Sequence, residues 1–271
     1  MGQAYAAAVF TEQQRAGTPE KGPRLRAMLY QAALAEKLPT RRYDTAVSFI
    51  ESLGSVPVGR IMAATLLAML GDAKATSERL AHAPLFARLH LLAGDAKEAA
   101  PWIALTRQAA AGSAKGMSNW LEIWPYVALS GTENETDYAP NLGKWLDAGL
   151  KDADHERRER AGDILLLFDA AGLAVPNKEW ARVTEMPTGE KKSLPPSALL
   201  LERLRMAGEN GRQGEVVLLS LALAGSETPQ LQMLTAVTAI RALRLAGLSA
   251  DALALARETA SPLLLPAAAK P

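Results

Sequence analysis

The chain has 271 residues, of which 49% are hydrophobic, 22% are charged and only 5% are aromatic. This composition excludes a disordered chain, and it argues against a β-sandwich, which would be rich in β-branched and aromatic residues. Lys and Arg number 30 against 29 for Asp and Glu, a formal charge of +1, so no whole-molecule field attracts nucleic acid or anionic lipid. The absence of cysteine excludes disulfides and thiolate metal sites.

The apolar stretches of the chain are short. The stretch from Ile61 to Leu70 falls well below the roughly 20 residues that a membrane span requires. The first residues show no basic start followed by an apolar run, so the sequence contains no recognisable signal peptide. We therefore expect a soluble protein, and both a cytoplasmic and a periplasmic location stay open.

Apolar residues recur at helical spacing along almost the whole chain. Leu25, Leu29 and Ala32 form such a series near the start, and Val47 and Ile50 continue the pattern in the next segment. This spacing is typical of amphipathic helices that bury one stripe of side chains. Because no two-residue alternation persists, the sequence predicts an all-α fold.

Glycines that follow small or apolar residues mark the predicted helix ends. One series is separated by 37, 40, 37, 41, 36 and 39 residues, and it consists of Gly17, Gly54, Gly94, Gly131, Gly172, Gly208 and Gly247. A second series divides these intervals and consists of Gly71, Gly112, Gly149, Gly189 and Gly225. Because glycine adopts the left-handed conformation that ends many helices, each long interval predicts one helical hairpin.

Two predicted inter-helix turns share a short pattern. Residues 93–99 read AGDAKEA and residues 246–252 read AGLSADA, so a small residue follows the glycine five positions later. Both segments resemble the inter-helix turn of tetratricopeptide-type repeats. The resemblance implies stacked antiparallel hairpins; it extends to the helical-repeat superfamily, names no single family and carries over no binding residue.

The spacing and the resemblance together predict a right-handed superhelix of about six to seven antiparallel helical hairpins, an α-solenoid. The alternative is an irregular helical bundle. We expect residues 1–261 to form a single helical repeat domain, with a possible break at residues 184–197, where three prolines and a glycine occur. Residues 262–271, which contain three further prolines, are expected to form a loosely ordered tail.

No motif of the sequence points to catalysis. His82 and His90 are eight residues apart and His155 lies in a charged run, whereas zinc-binding helices carry histidines three or four residues apart. A glycine-rich phosphate loop and a nucleophile elbow are also missing from the sequence. We therefore expect a protein that is not an enzyme, with no catalytic residue, no metal and no cofactor.

The candidate binding residues are a group of aromatic side chains: Trp102, Trp120, Trp124, Tyr126 and Trp145. Aromatic residues dominate the energetic hot spots of protein interfaces, and Pro125 is expected to kink the helix beside Trp124. One interpretation is an aromatic-lined groove for a peptide or a glycan. The other is that these large side chains fill gaps between Ala-rich helices.

Three functions remain open at this stage. The favoured hypothesis is a non-catalytic scaffold that binds a segment of a protein or peptide partner on a concave helical surface. The second is an accessory superhelical domain of a larger cell-envelope enzyme. The third is a helical-repeat nucleic-acid binder, which the balanced charge and the lack of a recurring basic stripe disfavour, so no nucleic-acid partner is expected.

Overall fold

A computed structural model describes residues 23–53, 58–71, 73–133, 135–151, 153–184, 198–224 and 233–264. In these ranges the regular secondary structure is helical throughout and includes no strand, which confirms the all-α prediction. The helices are α1 (Pro23–Ala35), α2 (Pro39–Leu53), α3 (Arg60–Leu70), a 3-10 helix (Ser77–His82), α4 (Ala83–Ala93), α5 (Ala96–Gly112), α6 (Ala114–Ala128), α7 (Glu135–Leu150), α8 (His155–Ala171), α9 (Asn177–Thr184), α10 (Ala198–Glu209), α11 (Gln213–Ala224), α12 (Met233–Leu245) and α13 (Ser249–Leu263). No helix among them is long and apolar enough to cross a bilayer.

The turn between α4 and α5 shows how local sequence sets the helix ends. Gly94 has a φ of 87° and ends α4 in the left-handed conformation. The next residue, Asp95, begins α5, because its carboxylate accepts a hydrogen bond from the Glu98 N–H at 3.2 Å. Such a cap satisfies one of the backbone donors that the first helical turn leaves unpaired.

The other glycine predictions have mixed outcomes. Gly131, Gly172 and Gly247 also have positive φ next to a helix end. Gly208 does not end a helix: α10 continues to Glu209, and Gly211 takes the left-handed conformation in the following turn. The predicted ends that lie outside the described residues are Gly17, Gly54, Gly189 and Gly225.

Consecutive helices pack against each other through most of the chain. The pairs α1–α2, α4–α5, α5–α6 and α12–α13 make extensive contacts, as expected for helices joined by short turns. Helix α8 packs against four other helices, α7, α9, α12 and α13. Its sequence explains this position: Ile164, Leu165, Leu167 and Phe168 are all buried, and such closely spaced apolar residues face several sides of a helix and need neighbours on each.

The last described helix returns to the first half of the chain. Helix α13 contacts α4 as well as α8, and the Ser261 hydroxyl donates a hydrogen bond to the Val58 carbonyl at 2.9 Å. In an open solenoid each repeat contacts only its sequence neighbours. The predicted right-handed superhelix is therefore not confirmed, and the contacts of α13 resemble those of a bundle.

The predicted domain limits fall largely outside the described residues. Residues 185–197, which make up nearly all of the predicted break, and residues 265–271 of the predicted tail are not described. Helix α13 includes Pro262 and ends at Leu263, so the tail does not begin at residue 262. The Leu264 N–H donates to the Ala260 carbonyl at 3.0 Å, which continues the last turn past the proline.

Candidate functional site

The structure places most of the predicted aromatic patch in the core. Trp102, Trp120, Trp124 and Tyr126 are between 0% and 4% exposed, and Trp145 is half-buried. An exposed surface made of all five residues is therefore not present, and their burial agrees with the alternative that they fill gaps between Ala-rich helices. Trp124 is 0% exposed and therefore borders no opening at the surface, although α6 contains Pro125 and continues to Ala128.

The aromatic residues belong to two separate clusters of rings. Trp102 stacks on Phe86 with ring centroids 4.2 Å apart, between α4 and α5. Trp124 contacts Trp145 at 6.1 Å and meets Phe168 edge-on at 5.6 Å. Two of the five predicted residues line clefts at the surface: Trp145 lines one of about 440 Å³, and Trp120 lines a separate one of about 290 Å³ that also contains Arg107.

A cleft of about 440 Å³, here called the main cleft, lies between α6, α7, α8 and the end of α13. Its walls are largely apolar, and its volume is in the range of small-molecule and peptide pockets. The main cleft is lined by Glu122, Trp145, Leu146, Ala148, Gly149, Arg157, Arg160, Ala161, Ile164, Leu263 and Leu264.

A second cleft of about 350 Å³, here called the Arg88 cleft, adjoins the first. The two clefts share Glu122 and Leu264 in their walls, and the pair of clefts is here called the Glu122 groove. The Arg88 cleft is lined by Ala81, Pro84, Leu85, Arg88, Asn119, Glu122, Ile123 and Leu264.

The Glu122 groove carries more positive than negative charge. Its lining contains three arginines, Arg88, Arg157 and Arg160, and one carboxylate, Glu122. Arg160 forms an ion pair with the exposed Glu156 at 2.9 Å, an arrangement that solvent screens strongly. The groove therefore presents a net positive potential to a ligand.

The N-terminus of α8 borders the main cleft and is already capped. The Asp154 carboxylate accepts a hydrogen bond from the Arg157 N–H at 2.9 Å. Any attraction that this end of the groove exerts on an anion therefore comes from the side chains of Arg157 and Arg160. The charged run at the start of α8 pairs partly with itself, because the Arg160 guanidinium donates to the Glu156 carboxylate one helical turn away.

Comparison with family models, with curated proteins and with solved structures finds no match to this chain. In the described part of the chain, no three His, Asp or Glu side chains are grouped closely enough to hold a metal ion. The sequence gives no signal for Arg88, Asn119 or Glu122, because the groove exists only where α4, α6 and the end of α13 meet.

Proposed function

We propose that the protein is a non-catalytic interaction module that binds an extended segment of a partner protein in the Glu122 groove. The observation that carries this proposal is the pair of adjoining clefts, which share Glu122 and Leu264. Two apolar clefts that share part of their walls can accept successive residues of a chain segment, and the lining of each contains at least one arginine. The superhelical concave surface expected from the sequence stays a prediction. The concave site proposed here is instead formed by clefts between packed helices.

The chemistry of the lining supports binding rather than catalysis. The described residues of both clefts include neither serine nor histidine, and Glu122 is the one carboxylate among them. Arginine remains protonated and is a poor general base. An apolar wall with a few charged groups is instead the usual composition of a recognition site, where the charges set orientation and specificity.

The proposal can be tested by selecting peptides from a random displayed library on the immobilised protein and measuring their affinity by calorimetry. Ala148 is exposed on α7 and lines the main cleft, so Ala148→Trp should fill the cleft without disturbing the core. We expect this variant to lose binding of the selected peptides. Ala104→Trp, at an exposed position of α5 outside both clefts, is the matched control and should bind normally.

The expected result separates the groove from the rest of the surface. Selected peptides that bind both tryptophan variants equally well would show that the groove is not the binding site. Failure to select any peptide from libraries of different design would reject the proposed function itself.

A further inference from the structure

Arg88 is a half-buried arginine on α4 that faces the Glu122 groove. Its Nε atom is buried and has no hydrogen-bond partner. Among the described residues its guanidinium forms no ion pair, and even Glu122, which lines the same cleft, does not pair with it. This residue therefore keeps unused donors beside a cleft of about 350 Å³.

The charge of Arg88 acts on a buried side chain of the protein interior. The buried Tyr126 lies close to it: burial raises the pKa of the Tyr126 phenol, and the positive charge of Arg88 acts in the opposite direction. The head group is thus placed between a buried phenol and the open cleft.

A half-buried charge without a partner is unfavourable, because it has lost part of its hydration and gained no counter-charge. Arginine does not relieve this cost by releasing its proton. A ligand that brings a carboxylate to the guanidinium removes the penalty on binding. Such charge-assisted hydrogen bonds are the strong ones, and those of arginine are often bidentate.

We propose that Arg88 binds a carboxylate side chain of the partner segment, next to an apolar residue that packs in the Arg88 cleft. The inference rests on the proposed function and specifies the chemistry of its partner as an acidic and apolar peptide. Leu85, Ile123 and Leu264 form the apolar wall beside the arginine. The side-chain amide of Asn119 lines the same cleft and supplies a second donor for the carboxylate.

The rest of the groove favours the same partner. Arg157 and Arg160 line the main cleft, so both of the clefts that share Glu122 contain arginine. A peptide rich in lysine would place like charges against three arginines. A peptide that combines acidic and apolar residues therefore matches the chemistry of the lining.

The experiment uses peptides selected on the full chain and synthetic versions of the tightest one in which each Asp or Glu is replaced by its amide. Arg88→Met removes the charge but keeps an unbranched apolar stem at this position. We expect acidic residues to be enriched among the selected peptides, and we expect Arg88→Met to weaken binding about tenfold to a hundredfold. Arg26→Met, on α1 outside the groove, is the control and should leave affinity unchanged.

A double-mutant cycle then identifies the contact. Amidation of one acidic residue of the peptide should weaken binding to the wild-type protein. The same amidation should have no further effect on binding to Arg88→Met. If Arg88→Met alters the fold, which a thermal melt reports, Asn119→Asp offers a second test: it adds a negative charge beside Arg88 and should weaken acidic peptides selectively.

The outcomes distinguish the two proposals. Peptides that are excluded by Ala148→Trp but bind Arg88→Met and Asn119→Asp as well as the wild type would overturn the role of Arg88 and leave the proposed function standing. Additive losses in every cycle would also overturn it. Binding that Ala148→Trp does not affect would reject both proposals, because the peptide would then lie outside the groove.

Discussion

His90 is a residue whose burial makes stability depend on pH. It is half-buried on α4, and its Nδ1 atom is buried with no hydrogen-bond partner. Burial lowers the pKa of the imidazole, and the negative charges of Asp95 and Glu98 oppose this change less strongly. The folded protein therefore holds the neutral form more firmly than the unfolded chain does.

The sign of the effect follows from proton linkage. As the pH falls below about 6.5, His90 of the unfolded chain takes up a proton before that of the folded protein. The free energy of unfolding should therefore decrease on acidification. The part of it that depends on neutral His90 is fully present above that pH and is lost below it. In His90→Gln this part of the decrease should disappear. Urea unfolding at about pH 7.5 and about pH 5.5 measures the decrease in the free energy of unfolding for both proteins. Equal decreases in the wild type and the variant would contradict the prediction.

Features set by one residue and its chain neighbours could be predicted from the sequence. The left-handed Gly94 and the capping Asp95 are of this kind, because a helix end is decided within a few residues. The burial of Trp124 is different. Whether a tryptophan on a helix faces a neighbour or the solvent depends on helices that lie far away in the sequence, such as α8 with Phe168.

At the scale of helices, one glycine determines how closely two of them approach. A Cβ atom at Gly208 of α10 would lie 2.7 Å from the Ala242 Cα of α12 and 2.9 Å from its carbonyl oxygen. The contact is with backbone, which cannot rotate away. The sequence marks Gly208 as a possible helix end and cannot distinguish it from a glycine at a helix crossing, because both follow small residues.

The close approach predicts that Gly208→Ala destabilises the protein. The helices α10 and α12 must separate to admit the methyl group, and overpacking of this kind costs about 1–3 kcal/mol. Gly214→Ala is the matched control on the adjacent α11, since a Cβ there meets no atom within 4 Å. It should stabilise the protein by about 0.5–1 kcal/mol through helix propensity. Equilibrium urea unfolding measures both, and equal stability of the two variants would disprove the close contact.

At the scale of the whole molecule, α13 connects parts of the chain that are distant in sequence. The Arg257 guanidinium donates to the Leu129 carbonyl at 2.8 Å, and Ser261 bonds to Val58 across 203 residues. Ala252, Ala256 and Ala260 are at most 1% exposed, and their spacing of four gives α13 a narrow face that allows close packing. The sequence predicts the helix but not its partners, and the groove next to Leu264 was unpredictable for the same reason.

The contacts of α13 predict that its stability is shared with α4 and α8. Ala256→Gly should destabilise this helix by about 1 kcal/mol, because glycine has greater freedom in the unfolded chain. If α13 packs on α4 and α8 as described, partial unfolding of α13 exposes both, and their backbone amides should exchange faster in hydrogen–deuterium exchange. Ala222→Gly, at an exposed position of α11, is the control and should affect α10 to α12 while leaving α4 unchanged. Faster exchange confined to α12 and α13 in the Ala256 variant would instead indicate an open array, in which each hairpin is stabilised by its sequence neighbours alone.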